Sequence, residues 1–353
     1  MTTPNKGLIY TKVPTGVPVA GEHLTVQERS FDLNKQPPAG GATVRQLYVS
    51  LDPYMRGAMR DPSIKSYRAA YPLGEPLTAY CLVQIIKSDH TVYHAGDLIF
   101  ATLPVEEYTT ATKEDLDSDQ TYKINNPHNL PLSNFVGILG MPGITAYASL
   151  YEIGAPKKGE TIFVSSAAGA VGQVVGQLAK REGLRVIGSV GDDEKLKFII
   201  EELGFDGGFN YKKEKPAEAL TRLAPNGIDI YYENVGGEQL EAALEAMNPF
   251  GRIVACGMVS QYNLAPGDRY PIKNLFHIIG KRIKFQGFIQ GDANMRPKYA
   301  KDRDEKVSAW LADGSIKTRE DIAVGMEKGP QALVDMLTGK NKGKAVLKIA
   351  DPE

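Results

Sequence analysis

Residues 161–172 read Thr161-Ile162-Phe163-Val164-Ser165-Ser166-Ala167-Ala168-Gly169-Ala170-Val171-Gly172. The first four form an apolar run of strand length, and from Gly172 to Arg181 the apolar spacing is helical. Between them lies Ala167-x-Gly169-x-x-Gly172, the pattern of a dinucleotide-binding turn with alanine in place of the first glycine. Such a turn must pass sharply from strand to helix. Its backbone must also approach a pyrophosphate, which suits Gly169, where no Cβ intervenes. Gly172 lets the helix pack closely on the strand, and the open N–H groups at the helix start face the phosphates. A close helix–strand contact without any ligand would leave the same trace. The strand before and the helix after are the context that favours a ligand.

Working outward, the beat repeats. Leu184–Gly188 reads as a strand, Glu194–Leu203 as a helix ended by Gly204, and Ile228–Tyr232 as a strand. Gln239–Met247 reads as a helix closed by Pro249-Phe250-Gly251, and Arg252–Cys256 and Ile283–Phe288 as strands. Strands alternating with helices of about ten residues imply a parallel sheet covered on both faces. Before residue 130 the pattern differs. Short apolar runs such as Thr43–Val49, Cys81–Ile86 and Asp97–Phe100, broken by Gly and Pro, read as a mostly β region. At the far end Arg303–Leu311 reads as a helix and Gly343–Ile349 as a closing strand.

The chain has 353 residues, enough for two domains at about 150 residues each. Its 41 basic and 42 acidic side chains nearly cancel, so nothing draws it toward nucleic acid or an acidic membrane. Two cysteines, Cys81 and Cys256, rule out a disulfide framework and suit a reducing, cytoplasmic setting. Thr161–Ala179 carries no charge, but its serines, glutamines and glycines fit strand, turn and helix better than a membrane span. Met1–Gly7 lacks an apolar run, so no secretory leader is expected.

The second strand of the alternating region selects the cofactor. A site for NAD usually ends it with an acid for the ribose 2′-hydroxyl. Val186-Ile187-Gly188-Ser189-Val190-Gly191 has none there, which favours NADP(H). Lys195, just beyond, is placed to meet a 2′-phosphate, though a solvated surface lysine would read the same way.

Several strings taken together resemble a known family. They are Ala167–Gly172, Gly188–Lys195, Ser50-Leu51-Asp52-Pro53-Tyr54-Met55-Arg56, Gly140–Tyr147, Glu233-Asn234-Val235-Gly236-Gly237, Cys256–Asn263 and Gly339–Val346. The chain is similar to the medium-chain dehydrogenase/reductases, in the zinc-independent alkenal/prostaglandin reductase branch of the leukotriene B4 12-hydroxydehydrogenase type. The resemblance implies an α/β protein: a GroES-like β-rich catalytic domain (1–133 and 305–353) with an inserted Rossmann, doubly wound parallel-sheet domain (134–304), the active site in the cleft. It implies NADP(H) at Ala168, Gly169, Ala170, Val171, Gly172, Lys195, Tyr211, Asn234, Cys256, Met258, Tyr262, Phe288, Ile289 and Asn341, with Tyr54 on the nicotinamide side. It further implies a homodimer and an enal or enone substrate. Gln290-Gly291-Asp292-Ala293 departs from the animal members, which bears on substrate range and not on fold.

The residue types bear on zinc directly. A catalytic zinc takes three protein ligands, typically of Cys, His and acid type. Leu51–Arg56 offers no cysteine, Gly74-Glu75-Pro76 offers no histidine, and no histidine pairs with a cysteine, so no metal is expected. His90 and His94 stand four apart but flank a strand-to-turn segment. A carbonyl oxygen then needs another polarising group. Tyr262 is the candidate, because a phenol can donate a hydrogen bond to a developing enolate. A buried structural tyrosine remains open as the alternative. Tyr54 suits a pocket wall better than an acid, and Cys256 reads as a small residue at a strand end. The expected reaction is NADPH-dependent reduction of the C=C bond of α,β-unsaturated aldehydes and ketones. The alternatives are a zinc-free carbonyl or alcohol oxidoreductase and a crystallin-like NADPH-binding protein without turnover.

Overall fold

The computed structural model describes residues 2–353. The chain forms two compact units, one comprising residues up to Gly140 together with Glu320–Glu353, the other Met141–Arg319. These seams lie further along the chain than the expected 133/134 and 304/305. A break at 304 would cut the continuous helix Arg296–Ala312, and one at 133 the single turn Leu132–Val136.

The Met141–Arg319 unit is built on a six-stranded parallel sheet. Its strands lie in the order Gly207–Asn210, Arg185–Val190, Thr161–Val164, Ile228–Glu233, Met247–Ala255, Lys284–Gly287. Strand residues such as Ile162, Val164, Val186, Ile187, Ile230 and Val254 are fully buried, as a sheet covered on both faces requires. Phe163 stacks on Tyr231, its in-register neighbour, at 5.0 Å and 7°. Such aromatic pairs add about 0.5–1.5 kcal/mol beyond the area they bury. The chain order reverses between Thr161–Val164 and Ile228–Glu233, the place where open α/β sheets bind ligands at their carboxyl ends.

The helices follow the expected beat with local differences. Gly172–Arg181 is helical as read. The helix expected over Glu194–Leu203 is an α-helical Asp193–Lys197 that widens into a π-type turn over Phe198–Glu202. Gly237–Ala246 stops one residue early, because Met247 already pairs with Ile228 as a strand. Elements without an expectation include the helix Met141–Ser149, the strand Gly207–Asn210 and the helix Pro216–Leu223. Thr161–Ala179 divides into strand, turn and helix. Among the described residues no helix is long and apolar enough to cross a membrane.

The other unit is β-rich. Ala42–Ser50 pairs antiparallel with Thr78–Ser88, Tyr108–Ala111 and Lys344–Lys348, so the C-terminal strand completes the N-terminal sheet. The junction is pinned by charge. The Lys344 ammonium, fully buried, lies 2.9 Å from Asp52 and donates to the Leu51 carbonyl at 2.7 Å, while Ser50 donates to Asp52 at 2.6 Å. Removing one partner of such a pair strands a buried charge, at a cost of about 3–5 kcal/mol. Tyr54 opens the one-turn helix Tyr54–Ala58 two residues after this anchor.

Candidate active site

The turn after Thr161–Val164 is as tight as its sequence demands. Ser166 takes a left-handed φ of 50°, and the Gly169 N–H donates to the Ser166 carbonyl at 2.9 Å. The Ala167 N–H donates to Ser189 of the neighbouring strand end at 2.9 Å. A Cβ on Gly172 would stand 2.4 Å from the Ser166 carbonyl oxygen and 2.8 Å from the Ala167 Cα, both backbone atoms, so only glycine fits. The helix that starts there has no side-chain cap. The Gln173 and Val174 N–H groups already bond the Gly169 and Val171 carbonyls at 3.1 Å, so the N–H groups just before them, at Ala170–Gly172, are the ones that can face an anion. Ala168 and Gly172 are buried, while Gly169, Ala170 and Val171 are half-buried. These residues fit a dinucleotide pyrophosphate.

The end of the neighbouring strand fits the rest of the reading. Asp192, the nearest acid, is turned to the helix it starts, accepting the Lys195 N–H at 2.8 Å as an N-cap. The Lys195 ammonium lies 3.5 Å from the same carboxylate, with its side chain only 12% exposed. The Tyr211 hydroxyl stands over Gly191, where a Cβ would come within 3.1 Å of it. Lys195 and Tyr211 thus both flank the end of Arg185–Val190.

The remaining candidates of this unit follow the next strand ends along the same sheet edge. Asn234 follows Ile228–Glu233 and donates its side-chain N–H to the Ser165 carbonyl at 2.7 Å. Cys256 and Met258 follow Met247–Ala255, and Phe288 and Ile289 follow Lys284–Gly287. The Tyr262 hydroxyl turns back over its own loop, accepting the Met258 N–H at 3.2 Å. Burial pushes the Cys256 thiol up to about 12, so it stays protonated and is a poor nucleophile. Cys81, wholly buried in Thr78–Ser88, is likewise pushed up to about 12.

One residue of this edge had no role assigned from sequence. Glu233 is fully buried beneath the turn, with Ser165, Tyr231 and two backbone N–H groups around one carboxyl oxygen. An acid closing the apolar run Ile228–Tyr232 just before Asn-Val-Gly-Gly was the signal that could have found it.

Tyr54 and Asn341 belong to the other unit. The Tyr54 hydroxyl is buried and hydrogen-bonds to no side chain or backbone group among the described residues. The Arg68 guanidinium lies 4.4 Å over its ring, and Tyr80 meets it edge-on at 5.7 Å. Burial raises its phenol well above the ordinary tyrosine value, so it stays protonated. The Asn341 side chain donates to the Gly343 carbonyl at 2.6 Å.

The acids near the position of a zinc alcohol dehydrogenase's ligands are engaged otherwise, Asp52 with Lys344 and Glu75 with Arg29 at 3.0 Å. His90 meets Asp117 at 3.1 Å through one ring nitrogen and accepts the Val92 N–H through the other.

Comparisons with known proteins show which family the chain is similar to. Residues 170–304 match the family model of zinc-binding dehydrogenases, and residues 6–118 that of an N-terminal domain of oxidoreductases. The chain is 52% identical over 347 residues to the NADP-dependent oxidoreductase RED1 of Cochliobolus heterostrophus, covering 98% of each chain. It is 41% identical to the NADP(+)-dependent 2-alkenal reductase of Nicotiana tabacum, again covering 98% of each. Among solved structures it is similar to CurA from Vibrio vulnificus in complex with NADPH, with a TM-score of 0.88 and 35% identity, covering 98% of this chain and 100% of that one.

Proposed function

The chain belongs to the medium-chain dehydrogenase/reductase superfamily, and on that premise we propose that it reduces the C=C bond of α,β-unsaturated aldehydes and ketones with NADPH. The observation that carries this reading is a phenol, Tyr262, on the same sheet edge as a phosphate turn whose neighbouring strand ends without an acid and beside Lys195. The likeness to a 2-alkenal reductase and to an NADPH complex supports it.

In this reading Ala168–Gly172 and the open N–H groups of the helix start hold the pyrophosphate. Lys195 and Tyr211 take the 2′-phosphate. Asn234, Cys256, Met258, Phe288 and Ile289 follow the strand ends toward the nicotinamide. Asn341 and Tyr54 stay in the proposal on the resemblance alone, the first toward cofactor and the second toward substrate. When bound, NADPH supplies the hydride, which goes to the β-carbon of the acceptor. Tyr262 donates a hydrogen bond to the carbonyl oxygen as enolate charge develops there. A proton from solvent or a relayed hydroxyl completes the α-carbon. No zinc takes part, so chelators are expected to leave the rate intact, and a stoichiometric zinc needed for turnover would overturn that point. The same reading has a cytoplasmic homodimer. The edge strand Lys284–Gly287 is paired on one side only, and Phe276 and Ile279, just before it, are 66% and 80% exposed.

Side-by-side assays with an enone are expected to show clear preference for NADPH over NADH. Lys195→Ala is expected to raise the NADPH KM about tenfold, since a charge-assisted contact contributes about 1.5–3 kcal/mol, and to leave NADH nearly unchanged. Equal use of both cofactors by the wild type would refute the assignment.

A further inference from the structure

Glu233 ends the strand Ile228–Glu233 and has no exposed surface. Four donor groups surround its Oε1: the Val235 N–H at 2.6 Å, the Gly236 N–H at 2.8 Å, the Tyr231 hydroxyl at 2.9 Å and, at 3.3 Å, the Ser165 hydroxyl, whose proton the Tyr232 carbonyl meets at the same distance. Its Oε2, equally buried, reaches no partner among the described residues. The four donors come from three segments, Tyr231 being on the strand of Glu233 itself. Ser165 belongs to the phosphate turn. Val235 and Gly236 belong to the turn that carries Asn234 and leads into the helix Gly237–Ala246. Asn234 ties these two turns again, through its N–H to the Ser165 hydroxyl at 2.9 Å and its side chain to the Ser165 carbonyl.

We infer that Glu233 is a positioning residue: as a carboxylate it clasps the phosphate turn to the Asn234–Gly236 turn, and NADPH affinity therefore follows its ionisation. The inference rests on the NADPH reading above and adds to it a proton-linked clasp. An ionised oxygen holds these donors roughly twice as strongly as a neutral carbonyl oxygen does. The short N–H contacts suit an ionised acceptor. Protonation would place an O–H on Oε2, where the structure provides no acceptor, and would weaken every bond on Oε1.

The charge change falls in the neutral range. Burial pushes the carboxyl up to about 7, against the opposing pull of the Gly236, Val235, Tyr231 and Ser165 donors. The titratable groups facing it hold steady there. Tyr231, on its own strand, is raised well above the ordinary tyrosine value, and Cys256, at the end of Met247–Ala255, is held at about 12, both chiefly by burial. The sign for stability is opposite to that for binding. A carboxyl raised by folding stabilises the fold while protonated and loses that contribution as pH climbs through about 7.

The test is NADPH affinity by fluorescence titration at pH 6 and pH 8, for wild type and Glu233→Gln, with the unfolding midpoint of the apoprotein at both pH values. The 2′-phosphate titrates alike for both proteins and cancels in their ratio. Glu233→Gln is expected to bind NADPH about fivefold more weakly than wild type at pH 8 and equally at pH 6, since charge-assisted bonds are roughly twice as strong as neutral ones. The apoprotein midpoint is expected to fall from pH 6 to pH 8 more in wild type than in the variant. A binding ratio constant with pH overturns the clasp, as does equal binding at pH 8. If Glu233→Gln does not fold, Tyr231→Phe carries the test. Losing one donor moves the midpoint of the affinity–pH curve upward, and an unmoved midpoint overturns the proposal. No binding by wild type at either pH overturns the NADPH reading and the clasp together. Binding without the pH-dependent difference overturns the clasp alone.

Discussion

Tyr262→Phe is expected to lower kcat on a good enone by about ten- to a hundredfold while NADPH affinity changes by less than about threefold. Losing a donor aimed at a developing oxyanion typically costs about 2.7–4 kcal/mol, and a share carried by the cofactor's ribose hydroxyl brings the effect to the low end. The two readouts separate because the hydroxyl contacts the Met258 N–H of its own loop, and the phosphate turn is left as it is. Stopped-flow single turnover and fluorescence titration would measure them. Full kcat in the variant would make Tyr262 a pocket wall and move attention to Tyr54. A collapse of both rate and NADPH binding would make it a structural support of the loop.

Gly172→Ala is expected to weaken NADPH binding roughly a hundredfold, the equivalent of losing about two charge-assisted hydrogen bonds. The new Cβ would meet the Ser166 carbonyl and the Ala167 backbone, and no rotamer change can relieve a clash with backbone. The turn must therefore shift, carrying the helix-start N–H groups away from the phosphates. Such overpacking also costs about 1–3 kcal/mol of stability. Gly267→Ala is the matched control, because a Cβ there meets nothing within 4 Å. NADPH titration and thermal unfolding of both variants check this. Near-wild-type affinity in Gly172→Ala would remove the phosphate from this turn.

The sheet was legible where burial imposes apolar runs. Thr161–Val164 and Gly172–Arg181 lie where the sequence places them, since a strand covered on both faces is mostly apolar and the helix must present one apolar face. Gly207–Asn210 was not legible. Two glycines and an asparagine have little strand preference, and it is a strand because it pairs with Arg185–Val190. The antiparallel pair Thr3–Tyr10 and Leu24–Phe31 was missed for a related reason. Its outer positions are polar and half exposed, so no apolar run marks it. The seam after Arg319 was hidden because Gln173 and Gln177 hold the backbone of Lys317 and Arg319 to the Gly172–Arg181 helix, contacts that no local pattern announces. In the site, glycine spacing and a missing acid were visible because each answers a steric or electrostatic demand. The role of Glu233 was not, because it depends on donors that only the folded turns bring together.

The most direct measurement is the product formed from a simple enone with NADPH deuterated at the transferred position. The account requires the saturated ketone, with deuterium on the β-carbon and none on the carbonyl carbon. An allylic alcohol carrying deuterium on its carbinol carbon would contradict it, and would make the protein a carbonyl reductase built on the same fold.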